Sequence, residues 1–247
     1  MSRWQLIGLV LGAYALGLVV TAPASLIDSG LEQATERRLR LTDTRGTLWS
    51  GTGQLEMRDR TQRTAVARSI AWRVLPQYFL RGQLRVEVVL DQAAKPFPVT
   101  VSVSQIELAD ADINLPAAAL ALGEPKLAPL GLTGDVLLHV ARLALKRNAV
   151  EGSATLQWRG AGSSFTRVSP LGNYELRFEG EGTTVRAFLR TLEGPLQLDG
   201  KGSWTSGGNP AFLGSARIAP EQRQQLAPLM RLIAVERGDG NFELRLN

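Results

Sequence analysis

Cysteine is absent from the chain, which removes disulfide frameworks, thiolate metal sites and cysteine nucleophiles together. Histidine is nearly absent. His139 alone would have to serve any histidine-dependent mechanism, and it lies in DVLLHVARL on the face shared by Asp135 and Leu137, where a solvent-facing strand side chain is expected. Lysine is scarce, four residues against 24 arginines, and the net charge of +5 is spread along the chain apart from loose groups at 36–40 and 58–68. Nucleic acid selects a basic stripe interleaved with stacking aromatics, so this diffuse charge argues against it as a partner. The phosphate loop GxxxxGK[ST], the zinc-protease motif HExxH and the nucleophile elbow GxSxG are all missing. Asp110, Asp112 and Asn114 begin like a calcium loop, but Leu115 stands where the sixth-position glycine belongs and Ala121 where the bidentate glutamate belongs. No nucleophile and base stand at motif spacing. The expectation is a non-enzymatic protein with no cofactor and no metal centre.

What is present begins with WQLIGLVLGAYALGLVVTA, Trp4 to Ala22, a stretch of 19 residues without a charge. At about 1.5 Å per residue a helix of that length spans roughly 28 Å, close to the hydrocarbon core of a bilayer. Trp4 sits where an interfacial aromatic belongs, and Gly8, Gly12 and Gly17 suit a membrane helix better than a soluble one. The Gly8-x-x-x-Gly12 spacing would also let a second helix approach. A cleaved signal peptide is the competing reading, with Arg3 before the run and Ala22-Pro23-Ala24 as the cleavage site, but the apolar run exceeds the usual signal-peptide length. With Arg3 before the segment and Asp28 and Glu32 after it, the positive-inside rule puts residues 1–3 in the cytoplasm and everything after Ala22 outside, in the periplasm of a double-membraned bacterium. Residues 4–22 are the expected inner-membrane anchor, in contact with the lipid bilayer. Residues 23–38 are the expected linker: Ser25 and Asp28 resemble a capping box, and Leu26, Ile27, Leu31 and Ala34 recur at helical spacing, with Gly30 weakening the helix.

From Leu39 the period changes to two. Leu84, Val86, Val88 and Leu90 alternate with more polar neighbours, as do Val99, Val101 and Val103, then Ala154, Leu156 and Trp158, then Tyr174, Leu176 and Phe178, then Leu196 and Leu198, and finally Phe242, Leu244 and Leu246. Strands with one dry and one wet face read this way. Turn signals fall at Arg81-Gly82, Thr133-Gly134, Glu151-Gly152, Gly194-Pro195, Gly207-Gly208-Asn209 and Gly238-Asp239-Gly240. Helix is expected only at Pro116–Leu122 and at Pro220–Ala234, where Leu226, Leu229, Met230 and Ile233 share a face and Pro228 should bend or restart the helix. The fold class expected is mainly β. An N-terminal transmembrane helix precedes a periplasmic, curved antiparallel β-meander at 39–247, an open half-barrel-like sheet with a few short helices.

The stretch RGTLWSGTGQLEM has the glycine density of a phosphate loop. A dinucleotide fingerprint, however, opens a helix, and here Leu55 and Met57 alternate as in a strand. The glycines therefore read as turn or bulge punctuation, with Trp49 as a large core or groove side chain. Gly46, Leu48, Trp49 and Gly51 form the candidate structural or partner motif. Looser versions recur in RGQLRVE, EGSATLQW and EGPLQLDGKGSW, the expected reuse of one turn chemistry along a meander.

The order of these segments carries a resemblance. An apolar helix, a short helix, LTDTRGTLWSGTGQL, SIAWRVLPQYFLRGQLRVEVVL, LPAAAL, GLTGDVLL, EGSATLQWRGAG, PLGNYELRFEGEG, GPLQLDGKGSW and APLMRLIAVERGDGNFELRLN together resemble protein N of the type II secretion system, the general secretion pathway protein N family. The likeness covers nearly the whole chain except Arg58 to Arg68, which reads as a charged loop insertion. It implies an inner-membrane accessory or assembly component of the machine that exports folded periplasmic proteins across the outer membrane. Its implied partners are other secretion subunits, the inner-membrane platform and/or the secretin, and it implies no catalytic residues. The architecture is also similar to periplasmic lipid-handling proteins of the AsmA and lipopolysaccharide-transport type, whose apolar β-grooves hold acyl chains. A bound lipid is the alternative expectation.

Overall fold

The computed structural model describes residues 14, 17–58, 64–91, 95–123, 125–205, 208, 211–238 and 241–246. Among the described residues fourteen strands form one sheet, every neighbouring pair antiparallel. The first half holds β1 (Leu39–Gly46), β2 (Ser50–Arg58), β3 (Thr64–Leu75), β4 (Gln83–Leu90), β5 (Phe97–Ser102), β6 (Gln105–Pro116) and β7 (Leu132–Lys146). The second half holds β8 (Ala149–Ser163), β9 (Gly172–Glu181), β10 (Thr184–Glu193), β11 (Leu196–Thr205), β12 (Ala211–Ile218), β13 (Val235–Gly238) and β14 (Asn241–Leu246). Each strand pairs with the next in sequence until β12, which pairs with β14, leaving β13 at the edge. Short connections and a period of two are all that a meander requires. The mainly β, open antiparallel architecture is as expected.

Besides the helical residues 17–20, the helices α1 (Ser25–Ala34), α2 (Leu120–Gly123) and α3 (Arg223–Ile233) accompany the sheet. Helix α1 starts at Ser25 without a side-chain cap. The expected capping box is not formed, because Asp28 is used elsewhere: its Oδ1 accepts the Leu41 amide at 2.7 Å. The Thr35 hydroxyl likewise accepts the Leu39 amide at 3.1 Å. These two amides would otherwise stand open on an edge strand, so α1 closes the β1 edge with side chains. Helix α3 follows a 3-10 turn, Pro220–Gln222, and runs through Pro228 without interruption, rather than restarting there.

Among the described residues no helix is long and apolar enough to cross a membrane. The expected anchor falls mostly outside them, including Trp4, Gly8 and Gly12, while residues 17–20 are helical. Two other expectations are corrected by pairing. Arg58 ends β2, and residues 64–68 belong to β3 with Arg68 opposite Leu55, so the supposed insertion contributes strand on both sides of residues 59–63. Gly134 and Gly152 are not turns: they lie inside β7 and β8 at φ +101° and +114°, beside register shifts. A Cβ on Gly134 would stand 2.5 Å from the Arg159 carbonyl oxygen. Bulges and turns demand the same backbone freedom.

Register carries one apolar face across the whole meander. The cross-strand series Leu108–Leu143, Ala111–Val140, Ile113–Leu138 on β6 and β7 continues as Val140–Ala154, Leu138–Leu156 and Val136–Trp158 on β8. It continues through Leu156–Leu176 and Trp158–Tyr174 on β9. The sheet curls: the turn at Ala117–Ala119, at the end of β6, touches β3 three strands away. Flat strands would hold these elements roughly 14 Å apart.

Candidate functional site

Three clusters of buried side chains divide the apolar face. At the N-terminal end α1 lays Ile27 and Leu31 against Leu41 and Trp72, with Leu55, Ile70 and Val86 around them. At the C-terminal end α3 drives Leu226, Leu229 and Met230 between Leu171, Leu196, Ala216, Ile218 and Phe242. These three helix residues are 0–4% exposed, and they are three of the four expected to share a face. The central cluster, around Phe97, Ala111, Val140 and Ala154, contains no helix residue. Its flanks open further: Leu84, Ile106 and Leu145 are 39%, 48% and 44% exposed.

The opposite face is polar and pairs its charges across strands. Glu107–Arg142 meet at 2.8 Å, Lys146–Glu151 at 2.6 Å and Arg190–Glu175 at 2.7 Å. Each exposed pair contributes at most about 1 kcal/mol, but together they distribute the basic charge without a continuous stripe. His139 is here, its Nδ1 2.6 Å from Asp112 Oδ1 with both side chains 54% exposed. Asp110, Asp112 and Asn114 lie along β6 rather than in a loop. An extended strand does not converge three oxygens on one cation. Among the described residues no group of three or more His, Cys, Asp or Glu could hold a metal.

The RGTLWSGTGQLEM stretch is the hairpin joining β1 to β2. Gly46 has φ +100° and pairs with Gly51, and a Cβ on Gly46 would stand 2.5 Å from the Ser50 carbonyl oxygen. Gly51 is bare for another reason. The Trp72 ring lies over it, so a Cβ there would stand 2.5 Å from Trp72 Cζ2. Trp72 is the core tryptophan of this end, 7% exposed, and its Nε1 donates to the Leu48 carbonyl at 3.3 Å. Trp49 is half-buried instead. Its Nε1 donates to the Val19 carbonyl at 2.9 Å and its ring meets Phe79 edge-on at 5.9 Å. Of the two, Trp72 is the tryptophan that the sequence analysis does not single out. The alternation of Ile70, Trp72 and Val74 in SIAWRVL was the signal available for Trp72.

Tyr174, a strand residue by its alternation, is 3% exposed and bonded to carbonyls beside the C-terminal cluster. Its hydroxyl donates to the Leu196 carbonyl at 2.9 Å and lies 3.2 Å from the Leu171 carbonyl. Trp158 packs against its ring at 5.9 Å. Burial raises its ionisation well above the ordinary phenol value of 10.0, because a phenolate would lose its hydration there.

These features define a class: an open, curled β-meander whose apolar face is covered by a helix at each end, with its charges dispersed in cross-strand pairs. The chain belongs to the family described as Type II secretion system (T2SS), protein N, whose family model matches residues 37–245. The match runs from just before β1 into β14. The chain is thus a type II secretion system component, as its motif order implied. No curated protein and no solved structure matches it.

Proposed function

We propose that this chain is a single-pass inner-membrane subunit of the type II secretion system, with residues 1–3 cytoplasmic and the sheet in the periplasm. There it acts as a non-catalytic accessory or assembly component, contacting the inner-membrane platform or the secretin. The observation that carries the reading is the family match across almost the entire sheet. The charge-free run from Trp4 to Ala22 and Arg3 before it support the anchor and its orientation. The packing of α3 into one end of the apolar face supports a scaffold, since a helix there fills the space that a cargo would need. Deleting the gene should cause exported proteins to accumulate in the periplasm, and complementation should restore their release. Unimpaired secretion in the deletion strain would reject the assignment.

A second reading rests on the central strands. Among the described residues the central cluster between α1 and α3 contains no helix residue, and its apolar side chains are the chemistry that an acyl chain would meet. A photo-crosslinking residue in place of Leu138 should then form lipid adducts in cells, whereas one in place of Leu213 on the polar face should not. Protein adducts alone at position 138 would reject the lipid groove and favour the scaffold.

A further inference from the structure

Among the described residues two large apolar side chains are almost fully exposed, Val103 in the β5–β6 turn at 104% and Leu80. Leu80 is 95% exposed and its neighbour Phe79 41% exposed. Both belong to the 3-10 turn Pro76–Arg81 between β3 and β4, which has no buried residue. Trp49 meets Phe79 edge-on at 5.9 Å. Arg85 lies over the Tyr78 ring at 4.8 Å and donates to its hydroxyl at 3.1 Å, while Arg81 is 5.9 Å from the same ring. An apolar tip is thus bordered by an indole, a phenol and two guanidinium groups.

The N-terminal segment arrives at the same corner. Besides the bond from Trp49 to Val19, the Leu48 amide donates to the Ala22 carbonyl at 2.8 Å and the Ala24 amide to the Gly46 carbonyl at 3.3 Å. Pro23 also bridges Thr47. These contacts, on the four successive positions Gly46 to Trp49, tie the end of the apolar segment to the β1–β2 turn. Leu18, Val19 and Val20, just before the junction, are 52–56% exposed.

We propose that the Trp49–Phe79–Leu80 patch is an interfacial membrane contact. It enters the headgroup region of an anionic bilayer, with Arg81 toward lipid phosphates, and holds the β-domain in one orientation against the membrane. The proposal rests on reading Trp4–Ala22 as the anchor. A lipid surface is the occupant favoured because the patch is continuous with that segment, and because an aromatic and leucine tip beside arginine suits the interface. Leu80 is also a projection without walls, which suits insertion into a fluid layer better than a fitted protein contact.

The absence of cysteine makes the test clean. Leu80→Cys, Leu18→Cys and Leu213→Cys are each spin-labelled in the full chain and reconstituted into vesicles of phosphatidylethanolamine and phosphatidylglycerol. The measurement is the ratio of collisions with oxygen, which partitions into lipid, to collisions with a water-soluble nickel chelate. The ratio should be several-fold higher at positions 18 and 80 than at 213. A lipid-exposed label at 18 with a water-exposed label at 80 overturns the membrane contact, leaves the anchor standing, and makes the patch a protein-docking surface. A water-exposed label at 18 removes the anchor reading and the proposal with it.

Discussion

Replacing Leu226 by alanine tests whether α3 is truly part of the β-domain core. Leu226 is 0% exposed, enclosed by a cluster that includes Leu171, Leu196, Ile218, Met230 and Phe242. The substitution removes three buried carbons, about 2.4 kcal/mol at ~0.8 kcal/mol each. The sheet on one side and the helix on the other cannot collapse freely, so the cavity raises the cost to roughly 3–5 kcal/mol. That is a large part of the total stability expected of a natural domain, about 5–15 kcal/mol. Urea unfolding of the full chain in mild detergent, followed by circular dichroism, measures the change, and the slope against denaturant should be preserved. Leu213→Ala, at a position 56% exposed on the polar face, is the control and should lie within about 0.5 kcal/mol of the parent. A loss below about 1 kcal/mol at Leu226, with the slope unchanged, would refute the packing of α3 into the face and remove the main support for a filled end.

Three further outcomes are expected. Gly30→Ala should stabilise by roughly 0.5–1 kcal/mol, since nothing stands within 4 Å of a Cβ there; Gly51→Ala should destabilise, because its Cβ would strike the Trp72 ring and the Arg45 carbonyl oxygen, and the pair of melting curves decides both. Trp72→Ala should cost about 3–5 kcal/mol, whereas Trp49→Ala should cost only about 1 kcal/mol and leave the domain folded; equal losses would refute the assignment of Trp72 as the core residue. Tyr174→Phe should lose about 1–3 kcal/mol at neutral pH by stripping buried carbonyls of their donor. Its raised ionisation means that the folded state holds the phenol proton more tightly than the unfolded chain, so that contribution is full below about pH 10 and fades as pH rises further. Unfolding titrations should therefore show a shallower alkaline decline in the phenylalanine variant than in the parent.

The strands most legible in the sequence were those alternating strictly, such as Leu84 to Leu90 and Tyr174 to Phe178, because alternation fixes which face each side chain takes wherever the strand ends up. The glycine-rich hairpin was legible for a related reason: a strand pattern follows it, and no helix opens there. Gly134 and Gly152 were misread because positive φ is required in turns and bulges alike, and a bulge is defined by the register of the partner strand. Asp28 suited a helix cap in its local context, but the Leu41 amide, 13 residues on, claimed its oxygen. Arg58 to Arg68 reads as a loop from its charges, yet Arg58 ends β2, and Arg68, opposite Leu55 on β3, is held by Asp91 at 3.2 Å, a partner 23 residues on that local sequence does not show.

The sequence by itself determined the period-two face, the helical stripe of Leu226, Leu229 and Met230, the absence of catalytic motifs and the order of segments that marks the family. Only the tertiary structure decided which tryptophan is buried, where the apolar face is covered and where it stays open, and that Trp49 meets the end of the N-terminal segment. The division has a physical cause. Backbone geometry makes side-chain direction a property of a few neighbouring residues, whereas burial depends on what curvature and register bring from far along the chain.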